Sequence, residues 1–207
     1  VYSIANPIDL TRFVAIPQDQ ARLRLHLPLN KKLFLFGSAK LADSRKGFDF
    51  LKSAFAQAGA DAQNWEVIVY GHSTPADLAA ASPVPVRSVG FLKNEEDLSA
   101  AYAAADAMVL PSVADNLPNT VMESLACGTP VVAFATGGIP QLILHGQTGW
   151  LAPVRDVASL AQGLKWASGT GFTDVELRHR CREYVRARYT YPMIAQKYTE
   201  VYESMLP

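Results

Sequence analysis

The sequence is short of several features that would have directed its reading elsewhere. It holds two cysteines, Cys127 and Cys181, in 207 residues, and neither sits in a metal-ligand or redox spacing. That argues against a disulfide-framed secreted module and makes a reducing compartment, the cytoplasm, the expected location. Net charge is lacking too: 19 basic residues offset 19 acidic ones, so no overall field draws the chain to nucleic acid or to an anionic membrane. No uninterrupted apolar run reaches the ~18 residues that suggest a membrane span. The N-terminus lacks the basic-then-apolar order of a signal peptide. His26, His72, His145 and His179 are scattered without ligand spacing, and internal repeats and low-complexity tracts are missing. The densest basic run, Arg178, Arg180, Arg182, Arg186 and Arg188, is interrupted by acids at Glu176 and Glu183 and reads as the solvated face of a C-terminal helix. Starting at Val1 on a linker-like stretch, the chain reads as part of something longer.

What is present is apolar and ordered. With 49% hydrophobic and 18% charged residues, the chain supports a sizeable core and fits one α/β domain with appended helices. The run "LFLFG" at 33–37 predicts a strand, and "KGFDFLKSAFAQAG" follows with Phe48, Leu51 and Phe55 at helical spacing. The same cadence returns in "WEVIVYG" at 65–71, in "VRSVGF" before "NEEDLSAAYAAA", in "AMVLPS" at 107–112, and in "PVVAF" at 130–134 before a helix-like "IPQLILHG". Strands alternating with helices predict a Rossmann-like, doubly wound parallel sheet with helices on both faces. After Asp156 the strand signals stop, and helices are predicted over 156–167, 174–188 and 192–205. In the last of these Met193, Tyr198, Val201, Tyr202 and Met205 are spaced to cover an apolar surface.

In open α/β sheets ligands bind beyond the carboxyl ends of the strands, which singles out the loops starting at Gly37, Gly71, Gly90, Ser112 and Ala135. The richest follows "AMVLPS". Pro118 suits a first helical position, and Gly128 with Pro130 end that helix. The amides of Asn119 and Thr120 would then face outward at the positive end of the helix, a ready anion site. Glu123 lies four residues after Asn119, on the same face, and its two oxygens suit a vicinal diol such as a ribose 2′,3′-hydroxyl pair. The plain alternative is a first-turn acid complementing the helix dipole. Asp115 likewise reads equally as a capping residue.

The stretch "PSVADNLPNTVMESLACGTPVVAFATGGIPQLILHGQTGWLAP" resembles the donor-binding signature of the family 4 retaining glycosyltransferases, the group 1 set with the GT-B fold. That signature is an acid, seven residues, a glutamate, then "A-x-G-x-P-V-V-A", a Gly-Gly loop and "G-x-x-G". The match continues through "GSAKLADSRKGFDFL", "VIVYG" and "GFLKNEEDLSAAYAAADAMVLPS". It also includes "VYSIANPIDLTRF", which looks like the family's crossover between two domains. The resemblance implies one C-terminal nucleotide-sugar-binding domain over 1–207, with an interdomain segment at 1–30, the Rossmann-like core at 31–170 and terminal helices at 171–207. The N-terminal acceptor domain is then missing.

The resemblance also implies roles. Glu123 would bind the ribose of a nucleotide-sugar, the Asn119 and Thr120 amides its distal phosphate, and Asp115 the hydroxyls of the sugar, with the Asn116 and Leu117 amides lining the same pocket. Lys46 matches a phosphate-binding lysine that stabilises the leaving diphosphate, and Asp115, Lys46 and Glu123 are the candidate catalytic residues. Gly37 opens the first loop, where Ser38 stands in place of a common arginine and Arg45 or Lys40 supplies the charge. Gly137 and Gly138 allow close backbone approach to the ligand, and base contacts would come from Phe91 and Lys93. Asp115 and Gln141 each stand where glutamate is usual. No metal or other cofactor is implied, the donor itself being the nucleoside diphosphate sugar.

The expected activity is transfer of a hexose from that donor to a saccharide or lipid-linked acceptor, with retention at the anomeric carbon. The acceptor, and any peripheral membrane contact, would be met through the missing domain. The rival reading is a non-catalytic nucleotide-binding or partner-binding Rossmann-like module. A receiver domain is excluded, because neither "LFLFGSAK" nor "VIVYGHS" carries the needed cluster of acids. If the fragment reading holds, the tyrosines and methionines of the last helix should lie exposed.

Overall fold

The computed structural model describes residues 2–37, 43–71, 82–169 and 175–205. Strands β1 (Lys32–Gly37), β2 (Trp65–Tyr70), β3 (Val86–Gly90), β4 (Ala107–Leu110), β5 (Val131–Phe134) and β6 (Gly149–Ala152) form one parallel sheet in the order β3-β2-β1-β4-β5-β6. Side chains alternate between its faces. Leu33 and Leu35 enter one core with Ile68, Met108 and Val131. Phe34 and Phe36 enter the other with Val67, Val109 and Phe134. Because both faces are covered, β4, β5 and β1 after Lys32 are continuous apolar runs, whereas the edge strand β3 carries Arg87 and Ser88, and Arg87 pairs with Glu66 of β2 at 2.6 Å.

The first face carries α1 (Gln18–Arg24), α3 (Glu95–Ala104), α4 (Asn119–Ala126), α5 (Ile139–Leu142), α7 (Val175–Arg186) and α8 (Tyr191–Glu203); the second carries α2 (Phe48–Ala58) and α6 (Val157–Ser168). This is the doubly wound architecture expected. The three terminal helices fall within two residues of their predicted bounds wherever those bounds are described, position 174 lying outside the described residues. Among the described residues the strand β6, the 3-10 stretch Gly59–Asn64 and the short helix α1, inside the segment read as a linker, escaped the sequence. One expectation is shortened. The helix from Ile139 makes a single turn, because Ile143 is already extended and Leu144 N donates to Thr148 Oγ1 at 2.9 Å, starting a tight turn.

The arginine run is not a solvated face throughout. Arg178 donates to the carbonyls of Ala103 (3.2 Å) and Ala105 (2.7 Å), and Arg182 to those of Ala126 (2.6 Å), Phe13 (2.9 Å) and Leu10 (3.1 Å). Helix C-termini leave carbonyls without intrahelical donors, and cations there also oppose the dipole. The two guanidiniums thus close α3 and α4 and staple residues 10–13 to the domain, while Arg180, Arg186 and Arg188 remain exposed. Arg22 performs the same service for Ala104 (2.9 Å) and pairs with the buried Asp106 at 2.8 Å. Both cysteines are buried, and burial pushes each thiol up to about 12. Among the described residues no helix is long and apolar enough to cross a membrane.

Candidate functional site

Strands β1 and β4 lie side by side, and the chain leaves them in opposite directions, toward β2 and toward β5. Where the winding reverses, the loops beyond the strand ends part and leave a crevice. Past β1, a single 3-10 turn at Ser44–Lys46 is capped by Asp43, whose side chain accepts from Arg45 N, and is closed by Gly47 at φ +74°. A Cβ at Gly47 would lie 2.0 Å from the Pro111 carbonyl oxygen, so only glycine lets this turn sit against the end of β4. Val113 N then donates to Arg45 O at 2.9 Å. Lys46 is thereby carried across to the second loop, where its Nζ donates to Asp115 Oδ2 at 2.9 Å. The two side chains are 34% and 17% exposed.

The other Asp115 oxygen accepts from Asn116 N at 3.1 Å. That amide, expected to line the pocket, is turned onto its neighbour's carboxylate, the local bond that Asp makes readily in turns. Leu117 packs beneath Gly138. The Gly-Gly pair does permit a close backbone approach, but to this turn: a Cβ at Gly137 (φ +53°) would meet Asp115 O at 1.8 Å, and Gly138 N donates to Asn116 O at 2.6 Å.

Helix α4 starts one residue later than expected. Pro118 is its N-cap at φ −68° and ψ 121°, not its first helical residue, and no side chain caps the helix. Val121 N takes the Pro118 carbonyl at 3.1 Å, leaving the Asn119 and Thr120 amides at the positive end without an intrahelical acceptor. Asn119 Oδ1 accepts from Asn6 Nδ2 at 3.1 Å, which ties the N-terminal segment to this terminus. One turn in, half-buried Glu123 accepts at Oε2 from Tyr102 Oη at 2.8 Å. Burial raises its carboxyl above the usual carboxylate range, and the Tyr102 bond works against that rise. Glu123 and Asn119 also line a cleft of about 320 Å³ with Arg12, Phe13, Glu95 and Leu98.

Other candidates stand apart. Arg45 is turned outward onto Asp43 at 2.9 Å. Phe91 and Lys93 are exposed beyond β3, two strands from β1. Ser38, like Lys40 and His72, lies outside the described residues. Gly37 ends β1 beneath the Tyr70 ring, whose Cζ and Oη would be 2.3 Å from a Cβ there. Sequence reasoning missed Tyr102, Tyr70, Gly47 and Asn6. The one available signal was Tyr102 itself, a bulky polar residue in "SAAYAAA". The Lys46–Asp115 pair lies on the turn that leads into α4, and Glu123 with Asn119 lines the cleft on the far side of that turn; an ammonium and amides for an anion, with carboxylates for hydroxyls, suit a ligand that carries both phosphate and sugar.

Residues 30–168 match the family described as glycosyl transferases group 1. The chain belongs to this family. It is 32% identical over 164 residues to a D-inositol 3-phosphate glycosyltransferase of Mycobacterium sp. (strain JLS), which covers 74% of this chain and 36% of that protein. The chain spans less than half the length of the curated relatives it matches. Among solved structures, sucrose-phosphate synthase of Thermosynechococcus elongatus superposes on 98% of this group 1 chain and 52% of its own, with a TM-score of 0.78 at 26% identity. Anabaena HepE in complex with UDP-glucose gives 0.76 at 22% identity, over 98% of this chain and 57% of that one. The C-terminal domain of a group 1 protein (LpcC) of Francisella tularensis gives 0.69 at 20% identity, over 89% of this chain and 99% of that one.

Proposed function

We propose that this chain is the C-terminal, donor-binding half of a family 4 retaining glycosyltransferase, cytoplasmic and acting on a nucleoside diphosphate hexose. Residues 1–30 are then the interdomain segment, 31–170 the core and 171–207 the terminal helices. The near-complete overlap with an isolated C-terminal domain supports the domain assignment, and a relative of the same fold holding UDP-glucose supports the ligand class. The observation that carries the reading is the meeting of Lys46 with Asp115 at the switch point, on the turn that leads into the uncapped end of α4. Lys46 and the Asn119 and Thr120 amides meet negative charge as it develops on the departing diphosphate, which lowers the barrier to breaking the anomeric C–O bond. Asp115 orients the hexose through its hydroxyls, and Glu123 holds the ribose. The acceptor, a saccharide or lipid-linked acceptor, is presented by the N-terminal half; its hydroxyl oxygen bonds the anomeric carbon on the face the diphosphate leaves, and the hydroxyl proton passes to the departing phosphate oxygen.

Calorimetric titration with UDP, GDP, ADP and their hexose derivatives tests this. One base is expected to bind selectively. Lys46→Ala should weaken that nucleotide about 10- to 100-fold, the effect of losing a hydrogen bond between charged groups. No binding by any of them would favour a partner-binding module with a decayed site, or a site that needs the missing half.

A further inference from the structure

Glu123 is the end of a chain of hydroxyls that runs through a buried tyrosine. Tyr102 Oη donates to its Oε2 at 2.8 Å, and Tyr70 Oη lies 3.2 Å from Tyr102 Oη. Tyr102 is fully buried. A phenol has one proton, and Tyr102 gives it to the carboxylate, so Tyr70 is the donor in the second bond. Burial holds both phenols above their ordinary range, Tyr102 well above it, and both remain protonated donors at neutral pH. The chain crosses three elements and rests on a fourth. Gly37, Cα partner of Tyr70 in the β1–β2 pairing, lies so close beneath the Tyr70 ring that a Cβ would reach within 2.3 Å of it. Tyr70 ends β2, Tyr102 comes from α3 and Glu123 from α4.

We propose that Tyr102, backed by Tyr70, is a positioning residue that fixes the Glu123 carboxylate so that its second oxygen faces the vicinal hydroxyls of a ribose, making this contact the site's means of distinguishing ribose from deoxyribose. This rests on the donor-site reading. A carboxylate hinged on a free side chain adapts to one hydroxyl or two. One tied at Oε2 has its remaining lone pairs set in place before the ligand arrives, so a lost hydroxyl is not made good by rotation. Gly37 in turn matters for the room it leaves Tyr70, which gives the glycine that opens the first loop a packing role.

The test measures, by calorimetry, the affinity ratio between the preferred nucleoside diphosphate among UDP, GDP and ADP and its 2′-deoxy and 3′-deoxy counterparts. The wild-type chain is expected to favour the ribonucleotide by about tenfold or more, the worth of one hydrogen bond to a charged group. Tyr102→Phe should cut that ratio to about threefold or less while inorganic pyrophosphate binds as before. Tyr70→Phe keeps the ring over Gly37 and should reduce the ratio by a smaller factor, and it serves as the test if the first variant does not fold. A ratio unchanged in either folded variant would overturn the positioning role while leaving the donor site intact. A wild-type chain that binds nucleotide without discriminating ribose would overturn it as well. Failure to bind any nucleotide would remove the donor site and the proposal together.

Discussion

Glu123 illustrates a conflict between stability and readiness at a single residue. Its carboxyl is half-buried, and desolvation raises its pKa above the ordinary 4.5. An acid whose folded pKa is raised binds its proton more tightly in the folded state, so its contribution favours folding below the unfolded value and is lost as pH rises through the folded one. Glu123→Gln keeps the shape and removes the ionisation. We expect the variant to match the wild type in thermal unfolding at pH 4 and to exceed it increasingly toward pH 7, while binding nucleotide more weakly. A difference in stability that stays constant across that range would contradict this account. Two residues were readable as a pair only in outline. The sequence places Asp115 and Glu123 eight positions apart, but nothing in it shows that Lys46, sixty-nine residues earlier, meets the first acid, or that Tyr102 meets the second.

At the scale of elements, the alternation of strand and helix was legible because strands buried on both faces are written as short continuous apolar runs. The helix α4 was legible to within one residue. The Gly137-Gly138 loop was legible as a place of close approach, while the surface it approaches was not. Gly137→Ala places a Cβ 1.8 Å from Asp115 O at φ +53°. The left-handed conformation costs a non-glycine residue about 1–2 kcal/mol, and overpacking adds about 1–3. Urea denaturation should therefore show a loss of about 2–5 kcal/mol. A variant of wild-type stability would mean that the 115–117 turn gives way freely. The short strand β6, "GWLA", was missed because four residues around a glycine carry too little pattern. Arg178 and Arg182 were read as solvated for a related reason: charge composition says nothing of which helix end a guanidinium faces.

The whole molecule bears on completeness. In α8, Tyr191, Tyr198 and Tyr202 are 57%, 44% and 62% exposed, and Met205 just beyond the helix is 67% exposed, while Met193 is half-buried and Ile194 buried. The expected exposure is met by the tyrosines and Met205 and not by Met193, and it leaves apolar rings open on one face of α8. If the domain works only when closed against an acceptor-binding half, this chain should bind donor yet give no acceptor-dependent product. A transfer assay with the preferred nucleotide-hexose and simple saccharide acceptors checks this, and any acceptor-dependent product would overturn it.

The sequence by itself determined the fold class, the family resemblance and the chemical types gathered at the strand ends, because hydrophobic periodicity and turn residues act locally and are written in order. Tertiary structure alone decided which of those groups meet. The Lys46–Asp115 pair, the Tyr70–Tyr102–Glu123 chain and the inward turn of Arg178 and Arg182 all join elements distant in sequence. Such contacts depend on how the sheet reverses its winding between β1 and β4 and on which backbones can touch where a Cβ is missing.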